Sequence, residues 1–105
     1  MEKSLLIKFL GENPIFKIID FLIENKSVDF TKKEIILGSR ISRASLFNVW
    51  QELEEQEIVL VTRQFGKTKL YTLNSKNQIV KKLLELESTL IAKALDKENL
   101  VEVAT

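Results

Sequence analysis

Apolar residues recur along this chain with periods that change from segment to segment, and the changes mark out its elements. Leu5, Leu6, Phe9 and Leu10 share one helical face, so residues 1–13 hold a short helix ending at Gly11. Asn13-Pro14 then reads as an N-cap followed by proline at the first helical position, where its missing N–H costs nothing. The helix it opens runs to Glu24 with Ile15, Ile18, Ile19 and Leu22 on one stripe and Phe16, Phe21 and Ile23 on a second. A helix apolar on two faces has to be covered on two sides. Thr31-Lys32-Lys33-Glu34 matches a capping box, and a short helix through Ile35, Ile36 and Leu37 follows, with Gly38 expected to turn the chain. Ser42 caps the next helix, 42–56, whose Leu46, Val49, Trp50 and Leu53 form the inner face. Trp50 is expected to serve core packing.

Residues 58–65 and 69–73 read as strands on either side of a Gly66-Lys67 turn. Asn74-Ser75 is expected to cap a last helix, about 76–95, and residues 96–105 to form a tail. Ile79, Leu83, Leu86, Leu90 and Ala94 make one stripe on that helix, with Val80, Leu84, Ile91 and Leu95 beside it. So wide a stripe either covers the second face of the Pro14 helix or pairs with another copy of the chain. A homodimer is the expectation. Its interface would take Leu83, Leu86, Leu90, Ile91 and Ala94 from this helix and Leu5, Leu6, Phe9 and Leu10 from the first.

Composition narrows the chemistry. With 105 residues, 45% of them hydrophobic, the chain is expected to form one domain with its own core and about 6,000 Å² of surface. It has no cysteine and no histidine, so disulfides, thiolate metal sites and Ser-His-Asp or Cys-His machinery cannot be built from it. No enzyme activity, metal or cofactor is expected. No apolar run approaches the length of a membrane span and no signal-peptide pattern opens the chain, which points to a cytoplasmic, nucleoid-associated protein with no membrane partner.

The net charge of +1 is uninformative, but its layout is not. Residues 26–51 sum to +3, residues 52–57 (Glu52, Glu54, Glu55, Glu57) to −4, and residues 58–73 to +3. Two basic patches around an acidic one make a polarised surface. The order of elements gives a mainly α fold with a small β-hairpin (α+β). Three helices and a two-stranded ribbon make a winged helix-turn-helix, here with a short N-terminal and a long C-terminal helix. Residues 14–73 would be the core of that domain, with the helix-turn-helix at 31–56 and the wing at 58–73.

Specific residues carry a family likeness. Ile41-Ser42-Arg43-Ala44-Ser45-Leu46-Phe47 resembles the turn and recognition-helix start of winged helix-turn-helix transcription regulators. Glu54-Glu55-Gln56-Glu57-Ile58-Val59 resembles their helix exit, and 63–73 their wing. The likeness is to archaeal regulators of the ArsR/MarR-like kind and covers about residues 11–95. Glu57 stands where that family usually has glycine, so a strained or differently built exit is expected. The absence of Cys and His excludes the metal sensing found in part of the family.

The resemblance implies a homodimeric, sequence-specific regulator on double-stranded DNA. Arg43, Ala44, Ser45, Phe47, Asn48 and Gln51 would present the helix to the major groove, with Ser42 at its cap. Arg63, Lys67 and Lys69 would place the wing on flanking backbone, and Lys32 or Lys33 would contact phosphate. The acidic run would point away from DNA. A plain solvated face is the bland reading of the same residues, and a winged-helix module that binds another protein is the rival function. RNA binding ranks below both, since no stacking platform is evident. Operator and effector are not encoded legibly.

Overall fold

Side-chain caps start the helices where the sequence writes them. Ser4 Oγ accepts from the Ile7 N–H to open α1 (Leu5–Leu10), and Asn13 Oδ1 accepts from the Phe16 N–H to open α2 (Pro14–Glu24). Thr31 and Glu34 exchange both capping-box bonds at the head of α3 (Lys32–Ser39), and Ser42 Oγ accepts from the Ser45 N–H ahead of α4 (Arg43–Glu55). Each such bond satisfies an amide the helix cannot, worth about 1 kcal/mol. The chain continues into β1 (Val59–Phe65), β2 (Thr68–Leu73) and α5 (Gln78–Ala104). This computed structural model describes residues 3–104, with side chains through residue 97.

The result is mainly helical with one antiparallel hairpin, β1 paired to β2. Phe30 adds a single bridge on the other edge of β2, exchanging both backbone hydrogen bonds with Tyr71 at 2.8 Å. One continuous core joins the elements. Ile18 and Leu22 of α2, Ile35 of α3, Leu46 and Leu53 of α4 and Val80 of α5 are all fully buried there. Trp50 joins them, edge-on to Tyr71 at a centroid distance of 4.8 Å. The two faces of α2 are covered within the chain, by α1 on one side and by α3, α4 and β2 on the other.

Three local expectations need correction. Gly38 does not turn the chain; it lies inside α3, and a Cβ there would overlap the Phe21 ring. The turn belongs to Arg40, at φ 57°, whose carbonyl accepts from Lys17 Nζ at 3.0 Å. Asn77, rather than Asn74-Ser75, caps α5: its Oδ1 accepts from the Ile79 and Val80 N–H groups. Residues 96–104 are no tail but the continuation of α5, and Thr105 lies outside the described residues. At about 1.5 Å per residue the 27 residues of α5 span about 40 Å. A rod of that length explains why the surface is 7286 Å² rather than the ~6,000 Å² expected of a compact chain this size.

The exit of α4 is built as its sequence requires. The Ile58 N–H bonds the Leu53 carbonyl and the Glu57 N–H bonds the Glu54 carbonyl, with Leu53 and Ile58 both buried. That is the Schellman arrangement, and its pivotal residue must be left-handed. Glu57 fills that position at φ 56°, where a side chain is strained. Its carbonyl accepts from Asn74 Nδ2 and Asn77 Nδ2, which ties the start of α5 to the end of α4.

The surplus apolar face is also smaller than expected. Leu6 is 1% exposed and belongs to the core of its own chain, so it is not available to a second copy. Leu10, Leu83, Leu86 and Leu90 pack half-buried against that core, because α1 lies between α2 and α5 and takes up much of the α5 stripe. Ala94 is half-buried. Leu5, Phe9, Ile91 and Leu95 stay exposed.

Candidate nucleic-acid interface

A groove of about 740 Å³ opens where the start of α3, the start of α4 and the hairpin tip converge. The caps set this geometry: Thr31 fixes where α3 begins, Ser42 fixes α4, and Gly66 at φ 60° turns the hairpin. Lys32 and Lys33 enter the groove from α3, Arg43 and Phe47 from α4, and Lys67 and Lys69 from the hairpin. No carboxylate lines it. Among the described residues, none of these five cations forms an ion pair. Five unneutralised positive charges in one concavity attract a polyanion.

Lys32 is held differently from the others. Its Nζ sits 5.3 Å from the Trp50 ring centroid, 5.5 Å from Phe47 and 5.8 Å from Tyr71. Such contacts are worth about 0.5–1 kcal/mol each at an exposed site. They fix the ammonium without cancelling its charge. The Arg43 guanidinium also lies 5.2 Å from the Phe47 centroid, so two cations stand close to this half-exposed ring. Burial raises the Tyr71 hydroxyl above its ordinary range, with the Glu54 carboxylate adding to the effect, so Tyr71 stays neutral.

The remaining expected contacts divide. Ala44 and Asn48 are exposed on α4, and Asn48 has no side-chain hydrogen bond among the described residues. Ser42 Oγ donates to Ser45 Oγ at 2.9 Å, so both hydroxyls serve the cap. Gln51 Nε2 donates to Glu55 Oε1 at 2.9 Å, which turns its amide along the helix toward the acidic run. Arg63 is engaged within the chain. Its Nε and Nη2 bind both oxygens of Asp29, at 2.8 and 2.9 Å, outside the groove. Thr62 Oγ1 donates to the same carboxylate at 2.6 Å. A bulge in β1 between Val61 and Arg63 brings two consecutive side chains to Asp29 where a regular ladder would bring one. The pair holds the Asp29 carboxyl down at about 2, first through Arg63 and then Thr62, and raises Arg63 in turn.

Leu37, Thr68 and Tyr71 line the groove without having been singled out from sequence. Leu37 reads as core in an apolar triplet, yet it is 70% exposed at the groove edge. Thr68 and Tyr71 were accessible from the hairpin register; Asp29 was not, being 34 residues from its partner.

Among the described residues there is no group of three or more potential ligands that holds a metal, and no helix long and apolar enough to cross a membrane. No protein-family model matches the chain, and no curated protein or solved structure matches it.

Proposed function

We propose that the chain is a winged helix-turn-helix transcription regulator that binds specific sites on double-stranded DNA as a homodimer, without catalysis. The observation that carries this reading is the groove with its five unpaired cations, placed by two capped helix starts and a hairpin tip. In this reading α4 enters the major groove, where Arg43 and Asn48 meet base edges and Phe47 offers an apolar surface to a thymine methyl. Lys33, Lys67 and Lys69 hold phosphates on either side, while Lys32 stays with its aromatic rings and adds field. The residues of α1 and α5 still exposed, Leu5, Phe9, Ile91 and Leu95, pair the two copies.

Selection of bound sequences from random duplex DNA tests the proposal, and enrichment of a two-fold symmetric site is the expected result. If Lys33, Lys67 and Lys69 each neutralise one phosphate per chain, a dimer has about six contacts and log affinity falls against log salt with a slope of about −5. The rival, a module that docks on another protein, draws support from Leu37 and Phe47, exposed by 70% and 50% beside the groove. It predicts no enriched sequence and a slope near zero.

A further inference from the structure

The cationic groove has an apolar component that charge does not explain. On α3, Ile35 and Ser39 turn inward and are buried, which leaves Lys33 and Leu37, four residues apart, on the outer face. On α4, Leu46, Trp50 and Leu53 are buried, while Arg43 and Phe47, again four residues apart, line the groove. Each helix therefore presents a cation and, one turn later, an exposed apolar side chain to the same concavity. Neither Leu37 nor Phe47 belongs to the core or packs against it.

Hydrocarbon adds nothing to the binding of a phosphate. Laid against base edges that donate or accept, it would strip water and return no hydrogen bond. The major groove offers one group that matches it, the C5 methyl of thymine. The five unneutralised cations lining the same concavity select a polyanion as its occupant, which places duplex DNA ahead of an apolar protein face. With Lys33 on a phosphate, Leu37 lies about 6 Å from that anchor, in a groove about 12 Å wide.

Building on the DNA-binding reading, we propose that Leu37 is a specificity-determining residue, seated on a thymine methyl distinct from the one that Phe47 meets. Each half-site then carries two thymines recognised through their methyl groups. Leucine at this position sets a base preference that neither the lysines nor Asn48 supplies.

The duplex enriched by selection provides the test. Each of its thymines is replaced singly by deoxyuridine, which removes the methyl and keeps every base-pairing group, and affinity is measured by competition. Two positions per half-site should each lose about fourfold, which corresponds to about 0.8 kcal/mol for one buried methyl-sized group. Leu37→Ala should abolish the uracil penalty at one position and keep it at the other, with salt slope and melting temperature unchanged, because Leu37 is uncharged and exposed. Phe47→Ala should abolish the second penalty and keep the first. An enriched duplex that tolerates uracil everywhere, or a Leu37→Ala protein that retains both penalties, overturns the role of Leu37 while the regulator reading stands. Failure to enrich any duplex overturns both, and assigns Leu37 and Phe47 to a protein partner.

Discussion

Glu57 and Gly38 show how much a single position can decide. Glu57 is left-handed at the Schellman pivot of α4, a conformation that costs a side-chain-bearing residue about 1–2 kcal/mol. Glycine removes that strain but returns about 0.5–1 kcal/mol of backbone entropy to the unfolded chain. Glu57→Gly should therefore raise stability by about 0.5–1 kcal/mol in urea unfolding, with no change in slope. Gly38 runs the other way. Alanine is the better helix former by about 1 kcal/mol, but its Cβ would collide with the Phe21 ring, which itself packs on Phe30 at 4.8 Å. Overpacking costs about 1–3 kcal/mol, so Gly38→Ala should lose up to about 2 kcal/mol net, and Phe21→Ala in the same chain should turn that substitution into a gain. Asp29 makes a pH prediction. Its folded carboxyl titrates below the ordinary range, from 3.8 down to about 2, so its contribution is complete above pH 4 and is lost as pH falls toward 2. Asp29→Asn should lower stability near neutrality and flatten the profile between pH 4 and 2.

Among the elements, most of what the sequence conveys is local chemistry. Asn13, Thr31 with Glu34, and Ser42 announce three helix starts, and all three cap as their spacing predicts, while the Ser4 cap of α1 emerges only in the structure. The start of α5 was misplaced because 74–77 contains two asparagines, and only the contact with the Glu57 carbonyl shows that both are used, one to anchor and one to cap. The groove was legible in part, since Lys32, Lys33, Arg43, Phe47, Lys67 and Lys69 lie near caps and turns that sequence reveals. Arg63 was not, because its role depends on a bulge and on a carboxylate distant in the chain. That ion pair separates two otherwise similar basic residues. Lys67→Ala should weaken binding to all duplexes and reduce the salt slope by about one unit per chain, whereas Arg63→Ala should leave the slope unchanged and lower stability at neutral pH. Asn48→Ala should cost about 1–3 kcal/mol on a preferred site and much less on random DNA, measured by competition binding.

For the molecule as a whole, the question is what meets the exposed end of α5. Leu5, Phe9, Ile91 and Leu95 are apolar, solvent-facing and carried on the two helices that pack together. Sedimentation at micromolar concentration should give about twice 12.1 kDa. Ile91→Glu with Leu95→Glu should halve that mass and spare the melting temperature, because both positions are exposed in the single chain, at 44% and 55%. The charge distribution has a different consequence. The cationic groove lies at the start of α4 and the carboxylates Glu52, Glu54, Glu55 and Glu57 at its end, about 20 Å away along 13 residues. A molecule of net charge +1 built this way is close to neutral but strongly dipolar. At low ionic strength the positive end of one molecule meets the negative end of the next, a head-to-tail contact that does not close on itself and so grows into open chains. Added salt screens that contact, with a Debye length near 8 Å at physiological strength against about 30 Å at 0.01 M. The protein should accordingly be least soluble in dilute buffer near pH 7.9 and dissolve as sodium chloride is raised.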